Sequence, residues 1–204
     1  MDKWQSRLRK IFPWGPLFAL RSNYEAGYFV KEGELVRKYL RKPEKVLVLG
    51  SGNGREGRPI SGHGHTIICL DNGLGYLLSG AKLVTEEGIK DMYFVQADTL
   101  ALPFTKEKFD IVFCTLYPAV RHNKRLLMQE VDRILKPGGI IFFMLTTPYY
   151  KAARKDRKAI EDQTFCASVK EAAQEAASAG FTFLEGEIDP LRPEYLFSVL
   201  QKSL

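Results

Sequence analysis

The sequence predicts an α/β fold built on a mostly parallel sheet, and three observations carry that prediction. Short apolar runs of strand length recur along the chain, segments of helical period separate them, and the first run closes on a glycine-rich loop. A parallel neighbour needs a crossover connection, so this alternation is what a parallel sheet demands of its sequence. The 204 residues suit a single domain over 1–204, because one core stops growing at roughly 250–300 residues. Residues 1–43 are expected to form an N-terminal helical cap or lid, and 44–204 the core.

Residues 45–50 (KVLVLG) are an apolar, β-branched run ending in glycine, the pattern of a buried strand, and 66–71 (TIICLD) repeat it. Residues 92–96, 109–115 and 140–145 supply three more such runs. Between them, 75–87 place Leu77, Leu78, Ala81 and Val84 at helical spacing. Residues 123–135 do the same with Leu126, Leu127, Val131, Ile134 and Leu135 before stopping at Pro137-Gly138-Gly139. An alanine-rich helix over 169–179 ends at Gly180. The last two strands, near 181–187 and 196–201, are joined through Asp189-Pro190 and Pro193, which leaves no room for a crossover helix. They should therefore pair antiparallel as a hairpin. Ahead of the first strand, Trp4, Leu8, Ile11 and Phe12 mark an amphipathic helix. Packing its apolar stripe on the sheet domain is a commoner fate than lying on a membrane surface.

The composition, 45% hydrophobic and 26% charged, excludes a disordered chain. No window approaches the roughly 18 consecutive apolar residues of a membrane span, and the N-terminus lacks the apolar segment of a secretory signal, so the expected location is cytoplasmic. Cys69, Cys114 and Cys166 are widely spaced, with no CxxC pair and no Cys/His cluster. They read as reduced thiols, and no metal site is expected. A net charge of +6 favours acidic or phosphorylated partners through long-range steering. The excess concentrates at Lys3, Arg7, Arg9 and Lys10 and again at Lys151, Arg154, Lys155, Arg157 and Lys158. These read first as solvated helix faces, with a nucleic-acid or membrane patch as the alternative.

The loop Leu49-Gly50-Ser51-Gly52-Asn53-Gly54 follows the first strand directly. Without Cβ atoms the chain turns sharply there and lets a nucleotide-like ligand press against backbone N–H groups. A nicotinamide dinucleotide fold is the rival reading, because Gly52, Gly54 and Gly57 satisfy G-x-G-x-x-G. Its register fits poorly. In that fingerprint the first glycine closes the strand, which here is Gly50, and the third position then falls on Arg55, whose bulk should obstruct close helix packing. Asp71 ends the second strand about 20 residues beyond Gly50, where a carboxylate accepts both ribose hydroxyl protons. Both readings share that feature, and such an aspartate also serves as a simple cap of the following turn.

Residues 46–71, taken with Gln96-Ala97-Asp98, Leu102-Pro103-Phe104, Phe109-Asp110-Ile111-Val112 and Leu135-Lys136-Pro137-Gly138-Gly139, closely resemble the class I S-adenosylmethionine-dependent methyltransferases. The likeness is greatest to the type 11-like group with small-molecule acceptors, and His65 and Pro59 fall where that group often has them. It runs from the first strand to the fifth, and the order and spacing of the motifs are more specific than any one of them. The resemblance implies a Rossmann-like class I methyltransferase fold: a mostly parallel seven-stranded sheet with an antiparallel last strand and helices on both faces, 44–204 being the cofactor-binding core. It implies S-adenosylmethionine as cofactor and S-adenosylhomocysteine as product, with no metal. Gly50, Ser51, Gly52, Asn53 and Gly54 would wrap the methionine part, Asp71 would hold the ribose, and Asp98 with the amide of Thr99 would recognise the adenine amino group. Asn72 and Thr115 complete the candidate cofactor set. One departure stands out: the family usually has Asp or Glu two residues before the first loop glycine, and this chain has Val48.

Methyl transfer from a sulfonium is an in-line displacement, so alignment and desolvation supply much of the rate and no universal catalytic residue is required. A base helps when the acceptor must lose a proton, and it belongs near the carboxyl ends of strands four and five. Tyr117 and His122 are the catalytic candidates there, with Tyr149 and Tyr150 after strand five; each also reads as an ordinary packing or surface residue. Cys114 reads as buried filler, and Tyr24 and Tyr28 as parts of the lid. The stretch Cys114-Thr115-Leu116-Tyr117-Pro118 lacks the Asn/Asp-Pro-Pro-Tyr/Phe motif of nucleic-acid amino-methylating enzymes, and no RNA-binding module is appended. The expected partner is thus a small-molecule acceptor with an acidic, phosphate or electron-rich aromatic group. Arg121, Lys124, Lys151 and Arg154 stand near the expected substrate side; nucleic acid is not favoured. Behind this first reading stand an NAD(P)-dependent oxidoreductase, a noncatalytic cofactor-binding protein, which Val48 suggests, and an RNA methyltransferase.

Overall fold

The five apolar runs of the first two-thirds of the chain become five parallel neighbours in one sheet. A computed structural model describes residues 30–40, 42–114, 124–146, 168–188 and 195–204. Its strands are β1 (Lys45–Leu49), β2 (Thr66–Asp71), β3 (Met92–Gln96), β4 (Phe109–Cys114), β5 (Leu135–Thr146), β6 (Phe181–Ile188) and β7 (Tyr195–Lys202). Its helices are α1 (Val30–Tyr39), α2 (Leu74–Glu86), α3 (Lys124–Ile134) and α4 (Val169–Ser178). The sheet order is β3-β2-β1-β4-β5-β7-β6. Pairing is parallel from β3 through β5 and antiparallel on both sides of β7. The C-terminal hairpin forms as expected, because its connection is too short to carry β7 back to the other end of the sheet. A dinucleotide-binding sheet runs 3-2-1-4-5-6, so an antiparallel β7 wedged between β5 and β6 separates this fold from the oxidoreductase reading.

Strand alternation divides the core into two layers. Leu47 and Leu49 face one side with Leu127, Val131 and Ile134 of α3 and Ala172 and Ala176 of α4. Val46 and Val48 face the other with Leu35 and Val36 of α1, Ile60, and Val84 of α2. Helices thus cover both faces, and α1 brings part of the N-terminal cap into the core. The rest of that cap, with Trp4, Leu8, Ile11, Phe12, Tyr24 and Tyr28, lies outside the described residues.

Two local outcomes differ from the sequence reading. Helix α3 stops at Ile134, one residue before its expected end, and β5 begins at Leu135 instead of Ile140. Leu135 pairs with Phe109 ahead of a register shift, and the N–H groups of Glu107 and Lys108 bind the carbonyls of Arg133 and Ile134. Those bonds satisfy helix-end carbonyls that would otherwise be orphaned. The second difference is at Arg55. Its side chain does not obstruct packing, because it turns aside to Glu32 of α1 and to Glu56, and all three are buried. The oxidoreductase reading is therefore excluded by sheet order, not by the bulk of Arg55.

At the opposite end of the sheet from the loop, His65 is buried and its Nδ1 accepts the Glu44 N–H at 3.1 Å. Burial, then the neighbouring His63, hold its imidazole below the usual value, against an opposing pull from Asp91. The unfolded chain therefore binds more protons than the folded one below about pH 6.5. Stability conferred by the neutral ring is present above that pH and lost as pH falls through the folded value. Urea midpoints measured at pH 7.5 and 6 should show a decline that flattens in His65→Gln, whose amide oxygen accepts the same N–H without titrating. An equal decline in the variant would remove His65 from the effect.

Candidate functional site

The candidate site is built at the carboxyl ends of β1, β2 and β3, where an open α/β sheet presents its crevice. The chain leaves β1 with the ladder still engaged: the Ser51 N–H donates to the Leu70 carbonyl at 3.0 Å. Gly50, Gly52 and Gly54 follow with φ of 63°, 54° and 84°, a left-handed run that side-chain-bearing residues resist. The glycines are not equivalent. A Cβ on Gly52 would meet nothing within 4 Å, so this residue faces open space, whereas one on Gly54 would reach Met92 Cε at 3.0 Å and Phe94 Cζ at 3.2 Å. Gly52 therefore belongs to an open cradle and Gly54 to the packing beneath it. Helix α2 fixes the cradle from the side: a Cβ on Gly80 would lie 2.8 Å from the Asn53 carbonyl oxygen.

Asp71 joins the two loops. One carboxylate oxygen accepts the Gly52 N–H at 2.9 Å and the other accepts the Gly73 N–H at 2.8 Å. The turn-capping role and the ligand role are thus compatible, since each oxygen has two lone pairs and uses one. Asn72 follows as an exposed residue, its carbonyl accepting from the Gln96 side-chain amide at 3.1 Å. From β3, the Ala97 N–H donates to the Asp71 carbonyl at 3.1 Å, which places Asp98 and Thr99 beside the same crevice. Asp98 is exposed and one of its oxygens accepts the Leu100 N–H at 2.9 Å, while Thr99 is buried.

The structure brings together Gly50, Ser51, Gly52, Asn53, Gly54, Asp71, Asn72, Asp98 and Thr99. Thr115, Tyr117, His122, Tyr149 and Tyr150 lie outside the described residues, as do Arg121, Lys151, Arg154 and Cys166. Val48, in place of the family's usual acid, is buried among hydrocarbon side chains of β2, β4 and α1. Under the loop lies Cys69, whose thiol is pushed up to about 12 by burial and then by Glu56, against the opposing Ser51 hydroxyl. Burial thus holds Cys69 as the thiol, which is the unreactive form toward electrophiles; Cys114 is likewise buried and outside any disulfide.

Sequence reasoning missed two groups that hold the site's backbone. Glu32 and Glu56 bind Arg55 just beyond the cradle. Glu130 and Arg133 of α3 bind the segment that follows Thr99. The second was open to detection, because residues three apart on a helix face the same way. The first was not, since nothing local links residue 32 to residue 55.

Comparison with known proteins adds independent findings. A family model described as a methyltransferase domain matches residues 47–143. The ubiquinone/menaquinone biosynthesis C-methyltransferase UbiE of Coxiella burnetii is 26% identical over 136 residues, 65% of this chain and 53% of that protein. This chain thus spans about half the length of such curated relatives. In fold, it is similar to the PH0226 protein of Pyrococcus horikoshii, with a TM-score of 0.73, 18% identity, and coverage of 95% of this chain and 99% of that one. It is also similar to the 1,6-didemethyltoxoflavin-N1-methyltransferase of Burkholderia thailandensis, solved with 1,6-didemethyltoxoflavin and S-adenosylhomocysteine bound. That match has a TM-score of 0.71, 18% identity, and coverage of 99% and 90%.

Proposed function

We propose that this chain, which belongs to the class I S-adenosylmethionine-dependent methyltransferase family, transfers a methyl group from S-adenosylmethionine to a nucleophilic atom of a small-molecule acceptor. The observation that carries this reading is the left-handed glycine cradle tied by the Gly52 N–H to Asp71, in a sheet whose order excludes the dinucleotide alternative. The residues fit the ligand: Gly52 leaves space that any Cβ would fill, and Asp71 keeps lone pairs free for two ribose hydroxyl protons. Gly50, Ser51, Asn53 and Gly54 shape the surface against the methionine part. Asp98 and the Thr99 amide take the adenine edge, and Asn72 borders the ribose. When bound, the cofactor supplies an electrophilic methyl group on a sulfonium and leaves as S-adenosylhomocysteine. What the protein adds is alignment and exclusion of water.

A small acceptor is supported by the matched relatives, which are named for ubiquinone/menaquinone biosynthesis and for methylating 1,6-didemethyltoxoflavin. The net charge of +6 favours an acidic, phosphorylated or electron-rich aromatic one. Thr115 as a cofactor contact and Tyr117 or His122 as the catalytic candidates are part of this proposal. So is a cytoplasmic place of action; no described helix is long and apolar enough to cross a membrane.

Thermal unfolding of the purified chain tests the reading. S-adenosylhomocysteine should raise the Tm, since a ligand selective for the folded state stabilises it by about 2.7 kcal/mol at one hundred times its Kd. A shift with NADH and none with S-adenosylhomocysteine would sink it. Radiolabelled methyl transfer to a panel of small anionic and aromatic acceptors then tests the substrate class, which fails if turnover requires structured RNA.

A further inference from the structure

Between Gln96, the last residue of β3, and Phe109, the first of β4, the chain forms no helix or strand, although it carries Asp98 and Thr99. Its start is held to β2 by the Ala97 N–H, and a turn closes it where the Ala101 N–H donates to the Asp98 carbonyl at 3.2 Å. Its middle is gripped from another element. Arg133 of α3 donates through one terminal nitrogen to the Phe104 carbonyl at 2.6 Å and through the other to the Leu102 carbonyl at 3.0 Å. Glu130, one helical turn earlier, accepts the Leu102 N–H at 2.7 Å. The two side chains lock each other, Arg133 Nε donating to one Glu130 oxygen at 2.8 Å and a terminal nitrogen to the other at 2.7 Å. Leu102 and Phe104 complete the grip by packing into the core, Phe104 edge-on to Phe109 at 4.9 Å.

We propose that Glu130 and Arg133 are positioning residues that set nucleobase specificity, by fixing the backbone that presents Asp98 and the Thr99 amide; this rests on the reading of those two as the adenine-recognition pair. The physical reason is geometric. A hydrogen-bonding pair discriminates only if it is held within about 0.5 Å of its productive place by supports that are themselves locked. A planar guanidinium bonded at Nε and at both terminal nitrogens cannot rotate without breaking several bonds at once. Lysine can reach one of these acceptors but cannot span two carbonyls and a carboxylate.

The test measures Kd by calorimetry for S-adenosylhomocysteine and for S-inosylhomocysteine, which has a carbonyl in place of the adenine amino group, alongside Tm. The wild-type chain should prefer the adenine form by about tenfold or more, the worth of a hydrogen bond to a charged group. Arg133→Met should bring that preference within about threefold. Arg133→Lys and Glu130→Gln, which keep part of the network and safeguard against a variant that does not fold, should lie between. With an acceptor in hand, KM for the methyl donor should rise while kcat at saturation holds. A lowered Tm with full base preference in all three variants would overturn the proposal, the pair then being merely structural. Loss of preference in the wild type, or full preference in Asp98→Ala, would instead refute the adenine reading and the proposal with it.

Discussion

Arg55→Met is expected to cost about 3–5 kcal/mol of folding stability, the usual penalty for removing one member of a buried ion pair. Glu32 and Glu56 are each 1% exposed and Arg55 6%. The guanidinium meets Glu32 through two bonds, at 3.1 and 3.3 Å, and Glu56 at 2.6 Å. Methionine keeps much of the volume but removes the charge bonded to both carboxylates in a nearly closed site. Against a total stability of about 5–15 kcal/mol this is a large loss, read as a lower urea midpoint at unchanged slope. Replacing the carboxylates as well, in Glu32→Leu/Arg55→Met/Glu56→Leu, should recover much of it, because an apolar cluster of similar volume often matches a buried ion network. A single-variant cost below about 1 kcal/mol would mean that water reaches the cluster. The same ion pair makes residue 32 part of the folded core, so a truncation that tests the N-terminal cap as a lid has to end before α1.

Asp71→Ala should weaken S-adenosylhomocysteine binding by about 1–3 kcal/mol, roughly 5- to 150-fold. The carboxylate is bonded to both the cradle and the turn into α2, so its removal frees the Gly52 and Gly73 N–H groups and takes away the proposed ribose acceptor together. Asp71→Asn should rescue little. An amide offers one acceptor oxygen, and its NH2 group then points at a backbone donor. Calorimetry on variants that keep near-native Tm reads the effect, and unchanged affinity in Asp71→Ala would take Asp71 out of the site.

Much of this architecture was legible because the deciding signals are local. The run 45–50 is apolar on both faces, as a strand between two helical layers must be, and it ends in glycine where the chain has to turn. The hairpin of β6 and β7 followed from a connection too short for a crossover. The crowding of Gly50, Ser51, Gly52, Asn53, Asp71, Asp98 and Thr99 at one end of the sheet is then a consequence of parallel strands, each of which ends on the same edge. The boundary between α3 and β5 was misread because Leu135 has good helical spacing, and only its pairing with Phe109 converts it to strand.

What the sequence by itself determined is the seven strands, the helices α2, α3 and α4 and the glycine loop, since period, chain stiffness and connection length are properties of neighbouring residues. What only the tertiary structure decided is how each residue type is used. Gly52 and Gly54 are identical in sequence terms, yet one faces open space and the other packs on Met92 and Phe94. Arg55 looked like an obstruction until α1 brought Glu32 to it across the chain. Glu130 and Arg133 carry no role in the sequence reading, and only the fold brings the Leu102 and Phe104 backbone against them. In each case the outcome depends on which distant backbone or side chain meets the residue, and that partner is chosen by the packing of the whole sheet, not by any nearby stretch of sequence.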